Sequence, residues 1–279
     1  MSRFRREAVA FTATVRKEWQ VMMRYWPNTT MLLFETVLMP LAYLAQAAGF
    51  EGGSASAAEA FTRRSGVASV AGFIYLGWAV YMWITTMIWG PGMSLRKERM
   101  QGSLESLFLT PISRFTLLFA PSVAQLFPAA LEFTLVGLMM RLAFGVPIGP
   151  GQILAGVVVV LVSIPVLFAL GALVGVSVMR VRDSSGVNSA IRGLVAILCG
   201  ITYPIAVLPG WVRPISRALP ITQVLDTLRL AVLNQPALSD LWTRCLVLLT
   251  AGACIGVVAA VLLSLTMRSV SRTGRLGQF

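Results

Sequence analysis

The chain has no histidine. That removes the commonest general base and a common metal ligand. Only three cysteines are present, Cys199, Cys245 and Cys254, all within or beside apolar runs. They lack CxxC spacing, so no disulfide framework or metal knuckle is read from them. They are expected as small core side chains. Charged residues make up only 12% of the chain, and lysine supplies only 2 of its 23 basic residues. Scarce lysine beside abundant alanine, valine and leucine hints at a GC-rich bacterial genome. There is no GxxxxGK[ST] phosphate loop, which excludes ATP hydrolysis of the P-loop kind by this chain. No polar stretch is long enough to fold alone, so one domain over residues 1–279 is expected. The first apolar run follows a long, charged leader, so no secretory leader is expected.

What is present is apolar length. Hydrophobic residues make up 57% of the chain and gather in six runs, about Thr30–Phe50, Val67–Trp89, Phe115–Phe144, Ile153–Met179, Ile191–Leu208 and Leu241–Met267. Crossing bilayer hydrocarbon takes about 20 apolar residues in helical form. Backbone groups facing lipid must be satisfied within the segment, which selects helices. A membrane β-barrel would alternate apolar and polar residues, and Val157 to Val162 does not. The expected fold is an all-α membrane protein with six transmembrane helices. Pro40 is expected to kink the first span, and Gly90-Pro91-Gly92 to end the second. Pro121 and Pro128 are expected to interrupt the third. Glu51 to Gly66 reads as an exposed, flexible loop.

Six spans put both termini on one side. Of the 23 basic residues, 16 fall on the side of the termini and 7 on the other: Arg63, Arg64, Arg141, Arg213, Arg217, Arg229 and Arg244. The positive-inside bias therefore places both termini in the cytoplasm. The net charge of +12 is explained by that bias without invoking nucleic acid. Before the first span, Phe4, Ala8, Phe11, Val15, Trp19, Met22 and Trp26 form one helical stripe, with Arg3, Arg6, Lys17 and Arg24 largely off it. Residues 1–27 read as an amphipathic helix lying flat in the headgroup region, ended by Pro27-Asn28.

Residues 94–111 are too polar to cross the bilayer and too apolar for a free linker. Leu104, Leu107 and Phe108 share one helical face, and Glu98 and Glu105 share another. A short cytoplasmic helix of this kind suits docking on a soluble partner; a solvated loop is the alternative. The segment 209–233, beginning Pro209-Gly210-Trp211, is amphipathic and too mixed to span.

Glu98, Gly102-Ser103-Leu104-Glu105 and Leu109-Thr110-Pro111 resemble the coupling-helix signature of ABC-2 type transporter permeases, with Ser103 in place of the usual threonine. Gly200-Ile201-Thr202-Tyr203-Pro204, Leu208-Pro209-Gly210-Trp211, Leu219-Pro220 and Arg229 are similar to that family's exit from the fifth span into short outer amphipathic helices. The resemblance covers nearly the whole chain. It implies two permease subunits, alike or different, paired with separate ABC ATP-binding subunits that hold the ATP and magnesium. It implies a bacterial cytoplasmic membrane location. It also implies that Glu98, Gly102, Ser103, Leu104, Glu105, Leu107, Phe108, Thr110 and Pro111 engage the ATPase, with the N-terminal helix beside them.

Other candidates come from the spans. Charged groups within spans are costly unless they are used or partnered, which singles out Glu35, Glu132 and Arg141. Glu132 is a candidate contact for a cationic cargo. Tyr75, Trp78, Met82 and Trp89 form a stripe that either lines a substrate path or packs as core. Pro204, Trp211, Arg213 and Arg217 are candidates for an outer gate, with an interfacial anchor as the alternative. Gly171 and Gly175 have the spacing that permits close helix approach. The expected function is export of an amphipathic small molecule (a drug, antibiotic or lipid). Export of a polysaccharide and stand-alone proton-coupled transport remain as alternatives.

Overall fold

The computed structural model describes residues 3–51, 55–67, 69–100, 116, 120, 123–178, 184–234 and 237–273. Among these residues every regular element is helical: α1 (Arg3–Arg24), α2 (Trp26–Glu51), α3 (Ala55–Ser65), α4 (Val70–Met100), α5 (Leu126–Leu142), α6 (Pro150–Val178), α7 (Ser184–Leu198), α8 (Arg213–Ala218), α9 (Pro220–Arg229) and α10 (Leu238–Thr273). A 3-10 turn, Ile205–Val207, precedes α8, and a π turn, Leu230–Asn234, follows α9.

Among the described residues, three stretches are long and apolar enough to cross a bilayer: Val70–Ile88 in α4, Pro150–Gly175 in α6 and Leu238–Leu262 in α10. The stretch in α4 is almost wholly enclosed by its neighbours, whereas α6 and α10 expose Leu154, Leu161, Val257, Val258 and Val261. Apolar surface of that extent is stable against lipid, not water. By contrast α5 has 17 residues and α7 has 15. At 1.5 Å per residue such helices are about 22–26 Å long, short of the ~30 Å hydrocarbon layer.

α4 is the centre of the packing. It lies against α2, α5, α6 and α9, while α6 and α10 form the most extensive helix pair. The close approach of α6 and α10 is carried by Gly252, where a Cβ would stand 3.2 Å from the Val166 backbone, and by Gly256 beside Ala169. These two glycines share the spacing noted at Gly171 and Gly175, but lie on the other helix.

Several boundaries differ from the sequence expectation. The first break falls at Tyr25, and Pro27 is the second residue of α2. A proline in the first turn costs nothing there, because that N–H has no partner within the helix. Residues 55–65 form α3 and not a loop. Its small residues are largely alanine, the best helix former, and Gly66 at φ +71° ends it in the left-handed conformation. Helix α4 continues through residues 90–92 to Met100, so Gly90-Pro91-Gly92 does not end it. The interruption expected at Pro128 falls at Gln125, between helical residues 123–124 and α5, and Pro128 itself lies in the first turn of α5. The fifth apolar run leaves the helix at Leu198, well short of Leu208.

The turn between α5 and α6 is built from local chemistry. The Val146 N–H bonds the Met140 carbonyl at 2.9 Å across Gly145 at φ +62°, a left-handed helix end. Gly149 and Pro150 open α6. The Gln152 Oε1 accepts the Gly149 N–H at 2.7 Å, the reach-back half of a capping box. The other end of the same amide, Nε2, donates to the Val232 carbonyl at 2.7 Å. One buried glutamine thus ties the start of α6 to the turn after α9.

Candidate functional site

The chemistry concentrates where α7 stops. The last carbonyls of a helix have no partner inside it. Here the following segment supplies them. The Tyr203 hydroxyl donates to the Ile197 carbonyl and the Ser216 hydroxyl to the Leu198 carbonyl. Arg229, at the end of α9, donates to the carbonyls of Gly200 at 2.8 Å and Ile201 at 2.6 Å. A cation at a helix C-terminus is also favoured by the helix dipole. Gly200 takes φ +65°, turning the chain out of α7 so that these carbonyls face the donors.

Arg229 is 4% exposed and reaches a third element. Its Nη2 donates to the Phe73 carbonyl of α4 at 3.1 Å, and its guanidinium lies 3.4 Å from the Phe73 ring centroid. Planar stacking with several donors on one head is particular to arginine. The approach depends on Gly77, where a Cβ would collide with the Ile201 carbonyl oxygen and the Arg229 guanidinium. Burial pulls Arg229 down to about 9 and Asp226 opposes this, so it stays cationic at neutral pH. Burial pushes the Asp226 carboxyl up, and Arg229, Arg244 and Arg217 pull it back.

Beside this junction lies a cavity of about 260 Å³, lined by Arg64, Arg217, Arg229, Arg244, Asp226 and Pro204 among others. It joins the end of α3, the helices α8 and α9, and the first turns of α10. Of the outer-gate candidates, Pro204 and Arg217 meet here. Trp211 is 75% exposed, and Arg213 is exposed with its Nε on the Leu208 carbonyl at 2.7 Å. The sequence reading gave no site role to Arg64, Asp226 or Arg244, and singled out Arg229 only within the resemblance of the segment after the fifth span. The signal available was the set of basic residues on the side where few belong. Four of those seven line one cavity.

The other candidates are placed as follows. Tyr75, Trp78 and Met82 are buried in the core of the chain. The Tyr75 hydroxyl donates to the Val37 carbonyl at 3.3 Å and its ring meets Phe144; Trp78 stacks obliquely on Tyr43 and Tyr81. The side chain of Trp89 lies outside the described residues. Glu132 is 1% exposed, and neither carboxylate oxygen has a hydrogen-bond partner among the described residues. Glu35 and Arg141 are exposed on α2 and α5. The backbone of Glu98 is helical, at the end of α4, but its side chain and residues 102–111 lie outside what is described. The N-terminal helix packs Trp19 edge-on against Phe127 of α5, with centroids 4.6 Å apart. Glu7 accepts a hydrogen bond from Thr116 at 2.9 Å.

Among known proteins, the ABC-2 type transporter family matches residues 9–233, most of the chain. Over 130 residues, 46% of this chain, the sequence is 26% identical to "Putative transport permease YvfS" of Bacillus subtilis (strain 168), and the match covers 52% of that protein. The chain therefore matches about half the length of this curated relative.

Proposed function

The chain belongs to the ABC-2 type transporter family, and on that premise we propose that it is the permease subunit of an ATP-driven exporter. The observation that carries this reading is the family match over residues 9–233, a range that contains both the 94–111 stretch and the 209–233 segment. In this reading a separate ATP-binding subunit, with its ATP and magnesium, grips residues 94–111. Leu104, Leu107 and Phe108 supply apolar area, while Glu98 and Glu105 supply polar contacts. Gly102 and Ser103 belong to the same contact, and Thr110 and Pro111 turn the chain back into the membrane. The helix α1 rests beside this docking site. A second permease subunit completes the path.

The path crosses a bacterial cytoplasmic membrane in six passes with both termini inside. The short helices α5 and α7 make two of those passes together with their flanking segments. The cargo is an amphipathic small molecule, a drug, antibiotic or lipid. It passes Glu132 and leaves beside Pro204, Trp211, Arg213 and Arg217, while Tyr75, Trp78 and Met82, buried in the core, pack the helices and do not line the path. Closure of the ATPase is transmitted only if its contacts differ between the ATP-bound and free states.

Purification of the tagged chain from its native membranes tests the partner. We expect an ATP-binding subunit, identified by its P-loop peptide, to co-purify with the wild type and to be lost from the Leu104→Asp/Glu105→Ala variant. Retention by that variant rejects the docking role. Absence of any ATP-binding subunit from the wild-type preparation rejects the ATP-driven reading.

A further inference from the structure

Cavities, buried charges and exposed patches converge on one place. Three arginines from three separate helices, Arg64 on α3, Arg217 on α8 and Arg244 on α10, line the cavity described above together with Arg229. Among the described residues, Asp226 is the single acid in its lining. The Nη1 and Nη2 of Arg229 are engaged by the Gly200, Ile201 and Phe73 carbonyls, and its buried Nε has no partner among the described residues. Arg64, Arg217 and Arg244 are exposed at the rim and make no side-chain hydrogen bond or ion pair among the described residues. Among the described residues the concave site thus carries four cations against one anion, with three guanidinium heads that no hydrogen bond engages.

Such an arrangement works against folding unless something neutralises it, since like charges crowded together repel. It also works against topology. On the sequence-based orientation these arginines lie on the outer side, where basic residues are disfavoured. The guanidinium fork matches the oxygens of phosphate and carboxylate, bonding them in pairs. Drug-sized ligands occupy pockets of about 300–1,000 Å³. A cavity of about 260 Å³ is suited to a headgroup or a small anion.

We propose that this cavity is a binding site for a phosphate-bearing anion, held by Arg64, Arg217 and Arg244 and bounded by Asp226. Two sources present that chemistry: the headgroup of an anionic phospholipid in the surrounding leaflet, and a soluble phosphate or diphosphate group. The inference does not rest on the transport reading, because binding is measured without cargo or ATPase.

The test uses the full-length protein in phosphatidylcholine nanodiscs at physiological ionic strength, where unspecific surface attraction is screened. Inorganic pyrophosphate binding is read by calorimetry. Retention of phosphatidylglycerol, supplied in mixed nanodiscs, is read by native mass spectrometry. Each charge-assisted contact removed weakens binding by about tenfold or more. Arg217→Gln and Arg244→Gln are expected to lose that much, whereas Arg141→Gln, exposed on α5 and outside the cavity, keeps wild-type binding. Arg64→Gln, on a third helix, repeats the measurement if either of the first two variants elutes as aggregate. Retention of phosphatidylglycerol without pyrophosphate binding identifies a lipid headgroup as the ligand, and pyrophosphate binding identifies a soluble one. If neither probe binds the wild type, or the cavity variants bind as the wild type does, or Arg141→Gln loses as much as they do, the proposal is overturned.

Discussion

Arg229 lies face-on to Phe73, its guanidinium 3.4 Å from the ring centroid, and donates to the same residue's carbonyl at 3.1 Å. The two residues are 156 positions apart. This pair fastens the end of α9 to α4, and the remaining donors of the same head close the broken end of α7.

Removing that head strips the Gly200 and Ile201 carbonyls of their donor, while the Phe73 carbonyl keeps its place in the α4 ladder. Orphaned buried groups cost about 1–3 kcal/mol each, so Arg229→Met is expected to destabilise the protein by about 2 kcal/mol or more. Arg229→Lys recovers only part of this, because a point charge does not reproduce the planar fork. Thermal unfolding in detergent measures both. An unchanged Tm for Arg229→Met would mean that the junction is held by something else.

Gly77→Ala places a methyl group against the Ile201 carbonyl and the Arg229 head. Overpacking of that kind costs about 1–3 kcal/mol or more. Gly137→Ala on α5 meets open space, and alanine is the better helix former by about 1 kcal/mol. The first substitution is expected to lower Tm and the second to leave it equal or higher. Opposite signs at two helical glycines check the placement of α4 against the Gly200 turn.

Glu132 holds two buried carboxylate oxygens without a hydrogen-bond partner among the described residues. An apolar replacement removes that desolvation cost, worth about 1–3 kcal/mol, so Glu132→Leu is expected to raise Tm. If the carboxylate receives a cationic cargo, the same variant also loses energy-dependent ethidium efflux in an efflux-deficient host. Wild-type efflux by Glu132→Leu would take this residue out of the cargo path.

The orientation has a direct test in whole cells, with Cys254 replaced by alanine. A cysteine introduced at Ser103 is expected to react with a membrane-permeant maleimide and to resist a charged, impermeant one. One introduced at Arg213 is expected to react with both. Labelling of the Ser103 position by the impermeant reagent would place residues 94–111 outside the cell and remove the docking site from the ATPase.

Much of the fold was legible from local pattern. The amphipathic stripe from Phe4 to Met22 lies on helix α1, with its last member Trp26 opening α2, and the runs beginning near Ile153 and Leu241 are the long helices α6 and α10. The errors were also local. Alanine-rich 55–65 was read for its small residues and not for their helix propensity. Pro27 and Pro128 read as breakers, and the helix does break just before each, at Tyr25 and Gln125, with the proline in the first turn of the next helix. The stripe at Tyr75, Trp78 and Met82 admitted two readings, because periodicity reports which face is apolar and not what covers it.

Composition and periodicity alone determined that this chain is helical and lives in lipid, because the hydrophobic effect and backbone satisfaction act on each segment separately. They could not determine which donor closes the end of α7, or that Arg64, Arg217, Arg229 and Arg244 share one cavity. Those facts depend on groups brought together from distant parts of the chain. A helix end leaves carbonyls that need partners, but only the tertiary packing selects the residues that supply them.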